Sequence, residues 1–438
     1  MTRLLVLVVF LSVSSLVIAE EAPTFRGTGG AGVAKQALPT SWSEKENIAW
    51  SVEVSGGAWS SPIVVGDKVF LTSAVSDEFK KPKGFGAGVQ SMGSFFGSRP
   101  PQKPMSFDVI CLTLEGGEEL WRTQVVSKTP KYKVHPSNSY ATESPASDGT
   151  HVFVYFAGVG EVACLDMVGE VVWQRDLGVY KTGNDFGTGS SPTLHDGKLF
   201  VQCDNEQNSF VLALDAKSGE EIWKQKREAR TSWSSPVIWK NKVRTELIVC
   251  GSNGVVSYEP ASGNKNWHLR GTGGSFSATP ASDSERIYLG QSGRTSRGPL
   301  VAVNTSASGD LDMDSTPEQG LAWSQRSAAP GMCSPVAVDG RVYVLSRGVL
   351  SCHESDSGQE LFKKRLNGAS SATASLWASP THVYALGESG DTNVIETGDS
   401  FKLASTNRLP GLYWSTPGVY GQTILIRDVD RLFCVQED

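Results

Sequence analysis

A short pattern of apolar and polar positions recurs along most of the chain. Each copy begins with a small residue followed by Ser or Thr and then Pro. It continues through apolar residues and a Gly- or Asp-containing turn to an apolar triplet rich in β-branched and aromatic residues. The first copy runs from Ser61-Pro62 to Val69-Phe70-Leu71. Apolar runs on both sides of such a turn predict a pair of antiparallel strands.

Eight copies of this pattern occur, and Leu376 replaces Pro in the seventh. The Ser or Thr anchors are Ser61, Ser144, Ser191, Ser235, Thr279, Ser334, Ser375 and Thr416. Neighbouring anchors lie 41 to 55 residues apart, except for a first interval of 83 residues. Four short strands with tight turns fill most of these intervals, so each copy predicts one blade of a propeller.

A second pattern follows the first in most copies. It is clearest from Ala213 to Trp223, where an apolar strand, the polar turn Asp215-Ala216-Lys217-Ser218-Gly219 and an aromatic residue follow one another. Related versions end at Trp121, Trp173, Trp267, Trp323 and Phe362. This pattern predicts the third and fourth strands of a blade. Because an indole buries about 150 to 250 Å², we expect these aromatic side chains to pack one blade on the next rather than to contact a ligand.

The last copy lacks its fourth strand, because only four residues follow Cys434. The segment 47–54 has the missing pattern and no partner of its own. An open sheet edge is unfavourable, so we predict that this segment forms the outer strand of the last blade. The predicted fold is all-β: an eight-bladed β-propeller of four-stranded antiparallel blades, closed by an N-terminal strand. It spans residues 47–438, follows an N-terminal extension of residues 20–46, and carries a loop insertion at 76–106 in blade one.

The repeats resemble PQQ-like repeats. Ala213 to Trp223 fits the tryptophan-docking motif Ala-x-Asp-x-x-Thr-Gly-x-x-x-Trp, with Ser218 in place of Thr. The resemblance implies a propeller shared by two groups: quinoprotein dehydrogenases, which hold pyrroloquinoline quinone (PQQ) and a metal in the funnel, and non-enzymatic scaffolds such as the propeller subunit of the outer-membrane β-barrel assembly machinery. The segment Phe25 to Gly30, together with Trp42 and Trp50, also looks like a family of secreted bacterial PQQ-like propeller proteins.

Several features differ from the dehydrogenase group. None of the seven cysteines is adjacent to another, and no motif matches the metal-ligand set or the catalytic Asp of that group. Asp310-x-Asp312-x-Asp314 departs from a calcium-binding EF-hand at Ser315 and Leu321. We therefore assign no catalytic residue and no metal ligand, and expect no cofactor. PQQ with Ca²⁺ is the alternative.

Candidate ligand-binding residues follow from the order of the strands. If the strands alternate in direction, the loops that connect one blade to the next lie on the same face as the loops between the second and third strands of a blade. The longest insertions fall largely on this face, at residues 76–106, 127–142, 178–189 and 291–298. We call it the elaborated face. Trp59, Trp233 and Trp414 stand three positions before the anchor Pro, and Met332 is equivalent to them. They are predicted to line the funnel mouth, where indoles could stack on a ring or a sugar. The alternative is that they plug the channel.

Three arginines are also predicted on the elaborated face, and each could recognise an anion. They are Arg294, Arg297 and Arg347. The alternative is that they are solvated loop charges.

Charge and the first residues suggest where the protein acts. With 40 Lys and Arg against 46 Asp and Glu, and no basic stripe, a nucleic-acid partner is excluded.

Residues 1–19 predict a signal peptide, because Arg3 precedes an apolar stretch that ends in Val17-Ile18-Ala19. The alternative is an uncleaved anchor. No Cys follows Ala19, so lipid attachment is not expected.

We therefore expect a soluble, exported, monomeric propeller in the periplasm or outside the cell. Its predicted function is that of a non-catalytic scaffold that binds a cell-envelope or extracellular protein, or another ligand, on the elaborated face. The alternatives are a PQQ-dependent oxidoreductase and, less favoured, a carbohydrate-binding or hydrolytic propeller.

Overall fold

The structure is a computed structural model that describes residues 23–27, 30–78, 81–84, 99–292 and 297–437. The predicted signal peptide and Arg294 lie outside these ranges. The described residues form eight sheets, so the predicted eight-bladed propeller is confirmed. In seven of the eight blades, the four strands of the blade are antiparallel and follow chain order from the innermost strand outward; blade eight takes its outer strand from the first strand along the chain.

The first strand along the chain is β1 (Ile48–Glu53). Blade one contains β2 (Ile63–Val65), β3 (Lys68–Val75), β4 (Met105–Thr113) and β5 (Glu119–Lys128). Blade two contains β6 (Ala146–Ser147), β7 (His151–Phe156), β8 (Glu161–Asp166) and β9 (Val171–Asp176). Blade three contains β10 (Thr193–His195), β11 (Lys198–Cys203), β12 (Phe210–Asp215) and β13 (Glu221–Lys226). Blade four contains β14 (Val237–Lys240), β15 (Thr245–Gly251), β16 (Gly254–Tyr258) and β17 (Lys265–Leu269).

Blade five contains β18 (Ala281–Ser282), β19 (Arg286–Leu289), β20 (Leu300–Asn304) and, after the short β21 (Gly309–Leu311), β22 (Leu321–Gln325). Blade six contains β23 (Val336–Val338), β24 (Arg341–Ser346), β25 (Val349–Glu354) and β26 (Glu360–Arg365). Blade seven contains β27 (Trp377–Ala378), β28 (His382–Leu386), β29 (Asp391–Glu396) and β30 (Leu403–Arg408). Blade eight contains β31 (Gly418–Tyr420), β32 (Thr423–Arg427) and β33 (Arg431–Val435). Two short 3₁₀ helices, Ala157–Val159 and Gly183–Asp185, lie in loops.

The last blade takes its outer strand from the beginning of the described chain. β1 pairs antiparallel with β33, and Trp50 lies opposite Cys434. The Trp50 indole donates a hydrogen bond to the Leu114 carbonyl of blade one at 2.8 Å. The chain therefore joins blade eight to blade one through both strand pairing and an aromatic contact.

The recurring Ser or Thr anchors join each innermost strand to the next. The backbone N–H of Ser61 donates to the Ser144 hydroxyl at 2.8 Å, and the N–H of Ser144 donates to the Ser191 hydroxyl at 2.9 Å. Five further links of this kind continue around the ring to Thr416, with distances of 2.9 to 3.2 Å. A small hydroxyl residue is needed at this position because its oxygen satisfies a buried N–H of the preceding blade.

The docking aromatics pack blade on blade, as predicted. Trp173, for example, donates from its indole N–H to the carbonyl of Ala216 in blade three at 2.9 Å. Its ring lies against Gly219, whose φ is +71° and where an added Cβ would come within 2.6 Å of the indole. The Gly of the repeat is therefore required both by backbone conformation and by the Trp of the preceding blade.

In several blades the third strand carries a small residue directly opposite the aromatic residue of the fourth strand. Cys164 lies opposite Trp173, Ala213 opposite Trp223, and Cys352 opposite Phe362 in the strand pairings. A small side chain there leaves room beside the large aromatic. All seven cysteines are free thiols in the structure.

Blade four differs from the predicted four strands. β21, from the connection between the last two strands of blade five, pairs in parallel with β17 and extends the sheet to five strands. Leu311 of β21 and the nearby Ala307 are buried in the same cluster as Trp267. The long connection thus buries apolar side chains against the edge of the neighbouring blade, which strand counting within a repeat cannot reveal.

The described part of the N-terminal extension crosses the central channel. Ser147 of blade two donates its N–H to the Pro23 carbonyl at 2.9 Å. At the other end, Ala34 N–H donates to the Ala378 carbonyl of blade seven at 2.7 Å, and Ala378 N–H donates to the Gly32 carbonyl at 2.8 Å. Because these partners lie on innermost strands, residues 23–27 and 30–34 lie in the channel.

Candidate functional site

Two of the predicted funnel-mouth tryptophans come together at the seam between blades eight and one. The rings of Trp59 and Trp414 stack with centroids 5.6 Å apart and an interplanar angle of 24°. Trp59 is only 5% exposed, and its indole donates to the Ser137 carbonyl at 2.8 Å. The Trp414 indole donates to Glu388 Oε1 at 2.7 Å. Both indole N–H groups are thus engaged by the protein.

A segment of the blade-one insertion lies beside Glu388, the carboxylate that accepts from Trp414. β3 ends at Val75 and β4 begins at Met105, so the connection covers residues 76–104. Lys83 N–H donates to the Pro136 carbonyl of the blade-one to blade-two connection at 2.9 Å. Gly84 packs so closely on Glu388 that an added Cβ would come within 2.7 Å of its carboxylate. Residues 81–84, which we call the mouth segment, therefore reach from blade two to blade seven.

An ion pair also connects the mouth segment to blade eight. Lys81 pairs with Asp430, which raises the pKa of Lys81. Both side chains are well exposed, so this pair contributes little stability by itself. It does fix where the segment lies, next to the loop that follows Arg427.

The remaining predicted residues lie on other blades. The Trp233 indole donates to the Gly187 carbonyl at 2.8 Å and meets the Phe186 ring edge-on. Met332 is 38% exposed in blade six. The candidate aromatic residues thus form one stacked pair and two separate positions rather than one continuous surface.

The described candidate arginines are exposed and lie on different blades. Arg297 is exposed in the connection between β19 and β20 of blade five. Arg347 is exposed in the tight turn between β24 and β25 of blade six, with φ of +52°. Their location in loops agrees with the sequence prediction, and whether they bind an anion stays a prediction.

Two buried arginines, which sequence reasoning missed, face the channel. Arg26 of the extension donates from Nη2 to the carbonyls of Pro335 at 2.6 Å and Leu376 at 3.2 Å. Burial lowers its pKa to about 9. Arg427 donates to the Ser60 hydroxyl at 2.6 Å, and burial lowers its pKa to about 10. Both guanidinium groups are held by neutral oxygens of the channel wall.

A metal or a ring-shaped cofactor would need donor groups and room among the described residues. Across the described ranges, no group of three or more His, Cys, Asp or Glu side chains could hold a metal ion. The stacked tryptophans already pack on each other, and the channel contains Arg26 and its segment. A ring-shaped cofactor on the channel axis would have to displace these residues.

Within the same ranges, no helix has the length and apolar character needed to cross a bilayer. The strands instead account for almost all of the regular structure.

Comparisons with known proteins identify the repeat. A family model described as outer membrane protein assembly factor BamB matches residues 106–310. A polyvinylalcohol dehydrogenase from a Pseudomonas species is 23% identical in an alignment of 269 residues that covers 50% of this chain and 35% of that protein. The chain therefore spans little more than a third of the length of this curated relative.

Solved structures with the same fold include proteins of different function. BamB from Moraxella catarrhalis superposes with a TM-score of 0.55 at 11% identity, over 88% of this chain and 98% of that chain. Quinohemoprotein alcohol dehydrogenase from Comamonas testosteroni superposes with a TM-score of 0.61 at 10% identity, over 94% of this chain and 80% of that chain. At such identities the likeness concerns the fold alone. The repeat, the ring of eight blades and the match of the BamB model over residues 106–310 make this chain similar to PQQ-like β-propellers.

Proposed function

We propose that this chain is an exported, non-catalytic propeller that holds a cell-envelope or extracellular protein, or another ligand, against its elaborated face. The observation that carries the proposal is the filled funnel mouth. Trp59 and Trp414 stack on each other and donate to Ser137 and Glu388, and the mouth segment packs on the same Glu388. A mouth closed by the protein's own side chains leaves the surrounding loops, rather than the axis, as the surface for a partner.

The N-terminal extension in the channel supports the same proposal. Pro23, Gly32 and Ala34 bond to innermost strands of blades two and seven. Arg26 donates from its guanidinium to the carbonyls of Pro335 and Leu376, at the entrances to blades six and seven. Channel occupancy by the extension favours a rigid ring. Rigid rings with long loops on one face suit binding, because the scaffold holds the loops in place.

The family match adds support for a partner in the cell envelope. The matching model is described as an outer membrane protein assembly factor. We therefore place the proposed partner, and the protein itself, in the periplasm or outside the cell.

The proposal is tested by replacing residues 77–103 with a short Gly-Ser linker in the full-length exported chain. Cross-linking and mass spectrometry in the native cell envelope should identify a protein partner of the parent, and the replacement should reduce its recovery several-fold without changing the unfolding midpoint. Val243→Ser, at an exposed position in the hairpin on the opposite face, serves as the control and should leave recovery unchanged. Equal recovery with the linker variant would refute the proposed binding face.

A second candidate function is a PQQ-dependent oxidoreductase, and the sequence match to polyvinylalcohol dehydrogenase favours it. Its test is dye reduction by the purified chain with PQQ, Ca²⁺ and polyvinyl alcohol or small alcohols as substrates. Turnover that depends on both PQQ and substrate would support this candidate and overturn the non-catalytic proposal. Absence of turnover, in protein that circular dichroism shows to be folded, would favour the non-catalytic scaffold over the oxidoreductase.

A further inference from the structure

A small cavity lies between blades two and three, away from the stacked tryptophans. Its wall includes Tyr155 at the end of β7, Gln202 of β11, and Ser190 of the connection between the two blades. Its volume is about 20 Å³. Trp233 donates to the carbonyl of Gly187, another wall residue, so this indole holds the covering loop in place.

Buried polar atoms without hydrogen-bond partners gather at this cavity. They are the Ser190 hydroxyl, Gln202 Oε1 and the Tyr155 hydroxyl, which also lies beside the Cys203 thiol; the three residues are 7%, 1% and 2% exposed. The carboxyl group of Glu143, 1% exposed, lies nearby, next to the Thr188 hydroxyl. Polar atoms that are buried without a hydrogen bond are strongly unfavourable, so several of them around one cavity indicate a bound group.

The orientation of Gln202 is determined by its other contacts. Its amide Nε2 donates to Asp204 Oδ2 at 2.8 Å and to the Cys250 carbonyl at 2.6 Å. The nitrogen is thereby identified, and Oε1 is the atom left to accept a hydrogen bond. The cavity therefore offers one obligate acceptor, Gln202 Oε1, beside two hydroxyls that can either donate or accept.

The charges around the cavity exclude an anion and disfavour a cation. Asp204 and Arg227 form a buried bidentate pair, with distances of 2.8 and 3.1 Å, so neither charge is available to a ligand. Glu143 is a buried acidic group near the cavity, and burial raises its pKa to about 7, partly offset by the Thr188 hydroxyl and nearby backbone amides. A carboxyl group that is partly neutral at physiological pH matches a neutral ligand better than an ion.

We propose that this cavity binds one small hydroxylic molecule, either water or a small alcohol, through Tyr155, Ser190 and Gln202. A hydroxyl group can donate to Gln202 Oε1 and accept from the hydroxyls of Tyr155 and Ser190. A cavity of about 10 to 15 Å³ is enough for the centre of one water molecule, which then needs two to four polar partners. The observed volume and the available partners meet both conditions.

High-resolution crystal structures of the full-length chain, grown without alcohols and then soaked in ethylene glycol, test the proposal. We expect a density peak within about 3.2 Å of the three named oxygen atoms. A peak that persists after soaking assigns the ligand as water, and replacement by elongated density assigns an alcohol. A cavity that is empty while other buried waters are resolved, or that holds a metal or an anion, would overturn the proposal.

Conservative variants test the role of the named residues. Tyr155→Phe combined with Ser190→Ala should abolish the peak, and its persistence would contradict the assignment. In solution, Tyr155→Phe should lower the thermal midpoint because it removes a bonded hydroxyl. Tyr413→Phe, which removes another buried and unpartnered hydroxyl elsewhere in the ring, is the matched control and should leave the midpoint unchanged or higher. A rise with Tyr155→Phe would indicate a dry cavity and refute the proposal.

Discussion

Arg427 of blade eight donates from Nη1 to the hydroxyl of Ser60, at the entrance to blade one, at 2.6 Å. The same nitrogen donates to the Thr72 carbonyl at 3.0 Å. At this seam the Ser61 hydroxyl has no partner within the described chain, unlike the seven hydroxyls that link the other innermost strands. The last blade is therefore joined to the first by a guanidinium group, by the pairing of β1 with β33, and by the Trp50 contact.

Removing Arg427 should weaken this seam. We expect Arg427→Ala to lower the free energy of unfolding by about 1 to 3 kcal/mol, because hydrogen bonds from a buried charged group are lost together with packing. Arg365→Ala, on the exposed surface of blade six, should change it by about 0.5 kcal/mol or less. Chemical denaturation of both variants measures the difference, and equal stability of the two would show that Arg427 does not hold the seam.

The glycine of the docking motif offers a second prediction. Gly219 and Gly197 have similar positive φ values of +71° and +67°, but only Gly219 lies against an indole, since an added Cβ at Gly197 meets nothing within 4 Å. Gly197→Ala should cost about 1 to 2 kcal/mol from backbone strain alone. Gly219→Ala should cost at least about 1 kcal/mol more, because Trp173 must move. Equal unfolding free energies would mean that the Trp173 contact is unimportant.

The stacked tryptophans should behave as packing residues. Trp59→Ala is expected to lower the free energy of unfolding by about 3 to 5 kcal/mol, as for other buried aromatic residues. Met332→Ala, at the equivalent but half-exposed position of blade six, should change it by about 0.5 kcal/mol or less. Urea denaturation provides the measurement. A small effect of Trp59→Ala would favour the alternative that the ring is reserved for a ligand.

Glu143 should make stability depend on pH. Burial raises its pKa from 4.5 to about 7 in the folded protein, so the folded state binds more protons than the unfolded state between these values. The contribution of this carboxyl group to the free energy of unfolding is fully present below about pH 4.5. It is lost as the pH rises through about 7, and the total loss is about 3 kcal/mol. Glu143→Gln should remove that dependence, so that its unfolding free energy exceeds that of the parent at pH 8. A parent and a variant with parallel pH profiles would contradict the shift.

The propeller could be predicted from the sequence because its physical requirements repeat. All eight blades have a hydroxyl at their anchor, and most have a small residue opposite an outer-strand aromatic and a Gly against the neighbouring Trp, so these requirements leave visible periodic signals. The pairing of segment 47–54 with the last blade followed from the same reasoning, since a strand pattern without a partner matched a blade without an outer strand.

Features that occur once left no such signal. The described residues of the extension, 23–27 and 30–34, have no apolar period, so their position depends on backbone hydrogen bonds and on Arg26. Glu143 stands where other blades carry Ser, Ala or Cys, and Arg427 directly follows an apolar triplet. Comparing equivalent positions across the eight copies would have marked both as unusual. Their partners, however, lie on neighbouring blades and become visible only in three dimensions.

Quinone binding would show whether the protein's own residues fill the channel axis. The full-length purified chain would be incubated with PQQ and Ca²⁺, separated by gel filtration, and analysed for retained quinone by its absorbance. We predict that no PQQ is retained, by the parent or by Trp59→Phe. Retention of one PQQ per chain, abolished by chelating the calcium, would show instead that the channel is open to the quinone.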